Sequence, residues 1–192
     1  MFSVAANRVY FYEKRTSPGV YLPSILKLGD TLNFEAIPAV DYVESILADD
    51  FCANSDSGVF KQMVELFTEY QCSIVAIEEV PADQTDKYGI VEGKEIQEGL
   101  FKVSNMIEKP APEFAPTNLA IIGRYILTPD IFSIIRTLNP GANGEIQITD
   151  AICEQAKKRM VLAYKFKGRR FDCGSLEGYV GATNYVYDEY HR

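Results

Sequence analysis

The chain has 192 residues, 47% of them apolar, enough for one domain with a substantial core and unlike the composition of a disordered segment. Its 27 acidic against 19 basic residues give a formal net charge of −8, which argues against a surface for nucleic acid or anionic membrane. A lone histidine, His191, and four scattered cysteines without a C-x-x-C pair argue against a structural zinc site or a Cys-His nucleophile.

Residues 1–42 mix Pro18, Pro23 and Pro38 with aromatics and show no sustained period; a strand over Arg8–Tyr12 is the element they predict. From about residue 43 onward strand-like and helix-like patterns alternate, and residues 1–192 read as a single domain. Tyr42 to Ala48 reads as a buried strand, with Asp49 and Asp50 directly after it. Carboxylates there either start a turn or, at the carboxyl end of an open parallel sheet where ligands bind, hold Mg²⁺ together with substrate phosphates. Val59, Phe60, Met63, Val64, Phe67 and Tyr70 share one face of a helix over Val59–Tyr70, and Ser73 to Glu78 is the next strand. Strand, helix and strand at this spacing predict a βαβ unit, a parallel pair with a right-handed crossover.

Gly89, in Tyr88-Gly89-Ile90-Val91, either exposes backbone to a ligand or relieves crowding in a strand. Glu108 and Lys109 end the following strand. Pro110 removes an N–H and biases Lys109 toward an extended conformation. Neighbours in a strand point to opposite faces, which favours a solvated pair; an acid able to accept sugar hydroxyls beside an ammonium able to meet phosphate also fits a sugar-phosphate site. A further strand runs from Leu119 to Ile126, and Thr128 with Pro129 starts a short helix through about Leu138, ended by Asn139-Pro140-Gly141. In Gly141 to Asp150 two glycines make a turn and Thr149-Asp150 cap a helix from Ala151 to about Arg159. Val161–Phe166 is a strand. Asp172 lies at another strand-like terminus before Gly174, either as a turn aspartate or as a second grip on the ion of Asp49. The last helix, from about Leu176, stacks Tyr179, Val180, Thr183, Val186, Tyr187 and Tyr190, a core or subunit-packing surface that predicts a homo-oligomer. The chain shows neither a signal-peptide pattern nor an apolar run of membrane-spanning length, and its cysteines read as free thiols, so a cytoplasmic protein is expected.

The blocks ILADDF, KQMVELFTEYQCSIVAIEEVP, DKYGIVEG, IEKP, TNLAIIGRYILTPDIF, PGANGEIQITDAI and FDCGSLEGY, in this order, resemble the bacterial UTP–glucose-1-phosphate uridylyltransferases, or UDP-glucose pyrophosphorylases. The resemblance covers roughly residues 45–182. It implies an α/β fold with a Rossmann-like mixed, mainly parallel sheet flanked by helices, the sugar-nucleotide transferase fold. It implies Asp49 and Asp172 as Mg²⁺ ligands, with Asp50 as a neighbouring donor. Glu108 matches the acid that binds glucose hydroxyls, Lys109 the catalytic lysine facing the sugar phosphate, and Gly89 the glycine whose backbone lies against the sugar. Gly29, in Lys27-Leu28-Gly29-Asp30, matches a G-L-G-D turn that helps read uracil, with lysine replacing the first glycine. Family members open with a strand and a G-x-G-T-R loop that hold the triphosphate; no such segment occurs in this chain, so an N-terminally incomplete domain is expected, residues 43–192 being its sugar- and metal-binding part. The implied reaction is uridylyl transfer from UTP to glucose 1-phosphate, giving UDP-glucose and pyrophosphate, impaired in this chain alone. The alternatives are a non-catalytic truncated relative that binds sugar phosphate or serves assembly, and a pyrophosphorylase using dTTP or CTP.

Overall fold

The computed structural model describes residues 3–4, 8–14, 21–27, 42–47, 49–53, 58–140 and 144–191, and of residues 3–4, 8–14, 21–27, 43 and 190 the backbone alone. In chain order the strands and helices are β1 (Ser3–Val4), β2 (Arg8–Lys14), β3 (Tyr21–Lys27), β4 (Val43–Leu47), β5 (Asp50–Ala53), α1 (Val59–Tyr70), β6 (Ser73–Glu79), β7 (Gly89–Gln97), β8 (Leu100–Glu108), β9 (Leu119–Leu127), α2 (Ile131–Ile135), α3 (Ile148–Ala156), β10 (Val161–Lys165), β11 (Arg169–Asp172) and α4 (Leu176–His191).

The large sheet has the order β3-β2-β1-β4-β9-β6-β10-β8-β7, and β5 pairs with β11 in a separate two-stranded ribbon. Burial follows from the period of two. On β6, Ile74 and Ala76 join Val59, Met63 and Phe67 of α1, whereas Val75 and Ile77 face the side covered by α2 and α3. The nine residues of β9 are all buried, as the apolar run LAIIGRYIL requires of a strand covered on both faces. In α1 the buried Val59, Met63 and Phe67 recur every fourth residue; the helix ends where Gln71 turns left-handed at φ 49° and its amide donates to the Phe67 carbonyl.

The mixed sheet flanked by helices is the one expected, but its balance of directions differs. Among the described strands the pairs β1–β4 and β6–β10 are parallel and the other pairings antiparallel. The βαβ expectation needs correction for the same reason: β4 and β6 run in the same direction, yet β9 lies between them, antiparallel to both. A strand with two apolar faces is best buried at the centre, and β9 takes that place. β4 itself is half-buried rather than buried over Glu44–Leu47. The α2 helix is shorter than predicted, and α3 begins at Ile148 instead of Ala151. On α4, Tyr179 and Tyr187 are 60% and 64% exposed, so this face is not core within the chain. Among the described residues no helix is long and apolar enough to cross a membrane.

Candidate active site

The described candidate residues gather at the end of the sheet where β4, β6 and β8 finish and β7 and β9 start. Pairing fixes this: Gly89 lies opposite Glu108, and Ala120 pairs with both Ile90 and Glu78. The contact of β7 with β9 therefore draws the far strand of the sheet back toward the centre.

Glu108 and Lys109 do not splay apart as strand neighbours. Lys109 sits at φ 46°, in the left-handed region, which corrects the extended conformation expected before Pro110. A side-chain-bearing residue there costs about 1–2 kcal/mol, offset here by the Lys109 amide donating to the Tyr88 carbonyl at 3.0 Å. The turn brings the ammonium Nζ within 4.0 Å of Glu108 Oε1, with the lysine side chain well exposed and the glutamate partly shielded. The other carboxylate oxygen, Oε2, accepts a 2.6 Å hydrogen bond from the Thr149 hydroxyl.

Asp49 and Asp172 converge at Gly174. A Cβ built on Gly174 would lie 3.1 Å from Asp172 Oδ1 and 3.3 Å from Asp49 Oδ2, so both carboxylates border the same small space. Backbone bonds hold them there: the Cys173 amide donates to the Asp49 carbonyl at 2.7 Å, and the Gly174 amide to Asp172 Oδ1 at 3.0 Å. Two hard oxygen donors on opposed segments fit Mg²⁺, which keeps open positions for water and phosphate oxygens. Among the described residues no group of three or more His, Cys, Asp or Glu is placed to hold a metal.

Asp50, expected as a neighbouring donor, is turned inward. Its Oδ1 accepts from Arg170 Nε, and its backbone carbonyl from Arg124. Burial pushes its carboxyl up to about 6 against the pull of Arg170, and the adjacent Asp49 adds to the shift. Gly123, at φ 67°, makes room for it; a Cβ there would lie 2.7 Å from Asp50 Oδ2 and 2.6 Å from Leu47 Cβ. Buried Arg170 also donates to Glu78 Oε1 at 2.7 Å, lies 3.9 Å from Asp172 Oδ2, and stacks its guanidinium 5.1 Å from the centre of the Tyr88 ring. Although burial opposes its charge, Tyr88, Asp50 and Glu78 hold the guanidinium above its ordinary range.

The two halves of the site are thus joined. Tyr88 offers its ring to Arg170 and its carbonyl to Lys109. Burial holds the Tyr125 phenol far above its ordinary range, and the Glu108 and Asp50 carboxylates add to the shift. Gly29 and the turn 141–143 lie outside the described residues, as does most of the Lys27-Leu28-Gly29-Asp30 segment. Sequence reasoning passed over Arg124, Arg170 and the hydroxyl of Thr149. A signal existed for Arg124, the one charged residue in the apolar run Leu119–Leu127.

Residues 30–189 match the family model described as Nucleotidyl transferase. A UTP–glucose-1-phosphate uridylyltransferase of Pseudomonas aeruginosa is 58% identical over 148 residues, covering 77% of this chain and 53% of the relative. Another of that name, from Staphylococcus epidermidis, is 39% identical over 139 residues, covering 72% of this chain and 48% of the relative. The chain therefore spans about half the length of the curated relatives it matches. Among solved structures, a UDP-glucose pyrophosphorylase complexed with UDP-glucose aligns with a TM-score of 0.76 at 52% identity, over 81% of this chain and 59% of the other.

Proposed function

Since the chain belongs to the nucleotidyl transferase family, we propose that it carries the sugar-phosphate and metal-binding part of a UTP–glucose-1-phosphate uridylyltransferase. The observation that carries this reading is the left-handed Lys109, which turns an acid and a base toward one another at the same end of the sheet as the Asp49–Asp172 pair. The similarity to relatives bearing that name and to a structure holding UDP-glucose supports the same substrates, UTP and glucose 1-phosphate.

In the proposed reaction a non-bridging phosphate oxygen of glucose 1-phosphate forms a bond to the α-phosphorus of UTP. The bond from that phosphorus to the α,β-bridging oxygen breaks, and its electron pair leaves with pyrophosphate. No protein nucleophile is needed, only positioning and cationic charge on the phosphoryl oxygens. Glu108 accepts sugar hydroxyls, Lys109 faces the sugar phosphate, and the backbone at Gly89 borders the sugar. Asp49 and Asp172 would hold Mg²⁺, which when bound supplies divalent charge to the phosphates. The free cysteines fit a reducing, cytoplasmic setting, and the apolar face of α4 fits self-association.

Calorimetric titration of UDP-glucose and glucose 1-phosphate, with and without Mg²⁺, tests this. Lys109→Ala should weaken glucose 1-phosphate binding about 10- to 100-fold, as expected for a hydrogen bond to a charged group. Asp49→Ala should remove the Mg²⁺ dependence of UDP-glucose binding. Unchanged affinities in both variants would overturn the site assignment.

A further inference from the structure

Thr149 lies in the first turn of α3 and is 3% exposed. Its sequence neighbourhood suggests a helix cap, yet the N-cap position is Gln147 and no side chain caps the helix. The Thr149 hydroxyl reaches across to the sheet instead, donating at 2.6 Å to Oε2 of Glu108. That length is typical of a hydroxyl donating to a charged carboxylate.

Gly89 lies opposite Glu108 on β7, and a Cβ there would stand 2.9 Å from Thr149 Oγ1 and 3.1 Å from Glu108 Oε2. The missing side chain of Gly89 is therefore the space in which hydroxyl and carboxylate meet. Three segments far apart in sequence converge on one oxygen, while the other, Oε1, looks toward Lys109 from 4.0 Å.

We propose that Thr149 is a positioning residue: its hydroxyl holds Oε2 of Glu108 in the space left by Gly89, and so keeps Oε1 available to sugar hydroxyls, 4.0 Å from Lys109 Nζ rather than in close contact with it. This rests on the reading of Glu108 as the sugar acceptor. Without that donor the partly exposed carboxylate is free to close on the neighbouring ammonium. A closed ion pair would occupy the acceptor meant for the sugar and the cation meant for its phosphate at once.

The test is a double-mutant cycle read by calorimetric titration of glucose 1-phosphate, with thermal melting as a check on folding. Thr149→Val, which keeps the shape and removes the hydroxyl, should weaken binding about tenfold, the span of a single modest hydrogen-bond contribution. Thr149→Ser should restore affinity to within about twofold of the parent, since the donor returns. In the Glu108→Gln background Thr149→Val should add little further loss. Gly89→Ala, which leaves residue 149 unchanged but crowds its hydroxyl and Glu108 Oε2 out of the space in which they meet, should reproduce the loss and provides a second route should Thr149→Val fold poorly. Equal losses in the valine and serine variants, or full additivity with Glu108→Gln, would overturn the positioning role. Parent-like affinity of Thr149→Val with weakened Glu108→Gln would do the same while leaving the sugar-acceptor reading intact. Unchanged affinity of Glu108→Gln would refute that reading, and this proposal with it.

Discussion

The Lys109 backbone is left-handed, at φ 46°, with a proline directly after it. Proline at position 110 disfavours helical backbone before it, but the hydrogen bond that the Lys109 amide donates to the Tyr88 carbonyl offsets the cost of the left-handed turn. Arg170 poses the complementary case, a charge that survives burial because every side of it is answered: Asp50, Glu78, Asp172 and the Tyr88 ring. Replacing it by Met would strand the buried Asp50 carboxylate, already pushed up to about 6 by its burial. Urea denaturation of Arg170→Met should accordingly show a loss of about 3–5 kcal/mol, partly recovered in Asp50→Asn/Arg170→Met. A loss under about 1 kcal/mol would mean that the guanidinium is dispensable to the fold. Glu108 and Lys109 are legible as a pair because adjacency belongs to the sequence. Their shared direction is not, since it depends on a carbonyl two strands-ends away in the chain, at Tyr88. Thr149 reads as a cap by its position before a helix, and only the packing of α3 on β8 reveals its partner.

Among the elements, those with a strong internal period are readable at their true bounds. The predicted helix over Val59–Tyr70 is α1 to the residue, because its apolar stripe needs no knowledge of what it packs against. The insertion of β9 between β4 and β6 is invisible to such reasoning: strand order depends on which faces must be covered, and alternation along one strand carries no record of its neighbour. The α4 helix shows the same limit. Its spacing of tyrosines and valines reads as a packing face, and the structure leaves Leu176, Tyr179, Val180 and Tyr187 exposed on it. Apolar surface of this kind favours self-association. Light scattering should therefore give a mass that rises with protein concentration, and Tyr187→Glu should lower it toward that of the single chain. A constant monomer mass at high concentration contradicts this use of α4.

On the scale of the whole molecule, one end of a sheet assembles residues from β5, β7, β8, β11, α3 and the turn at Asp49 into two adjoining polar clusters. The mixed sheet with helices on its faces and the closeness of Glu108 to Lys109 and of Asp49 to Asp172 were each anticipated; the connection of the two pairs through Arg170 and Tyr88 was not, because neither of those residues stands out by its chemistry in the sequence. In the proposed function these clusters serve one ligand that spans both. Amide hydrogen exchange, measured with and without UDP-glucose and Mg²⁺, tests that shared binding. Slower exchange is expected, in the same titration, at Lys109 and Gly89 and at Cys173 and Gly174, with α4 unaffected. Slowing confined to one cluster at saturating ligand, or spread to neither, would contradict it.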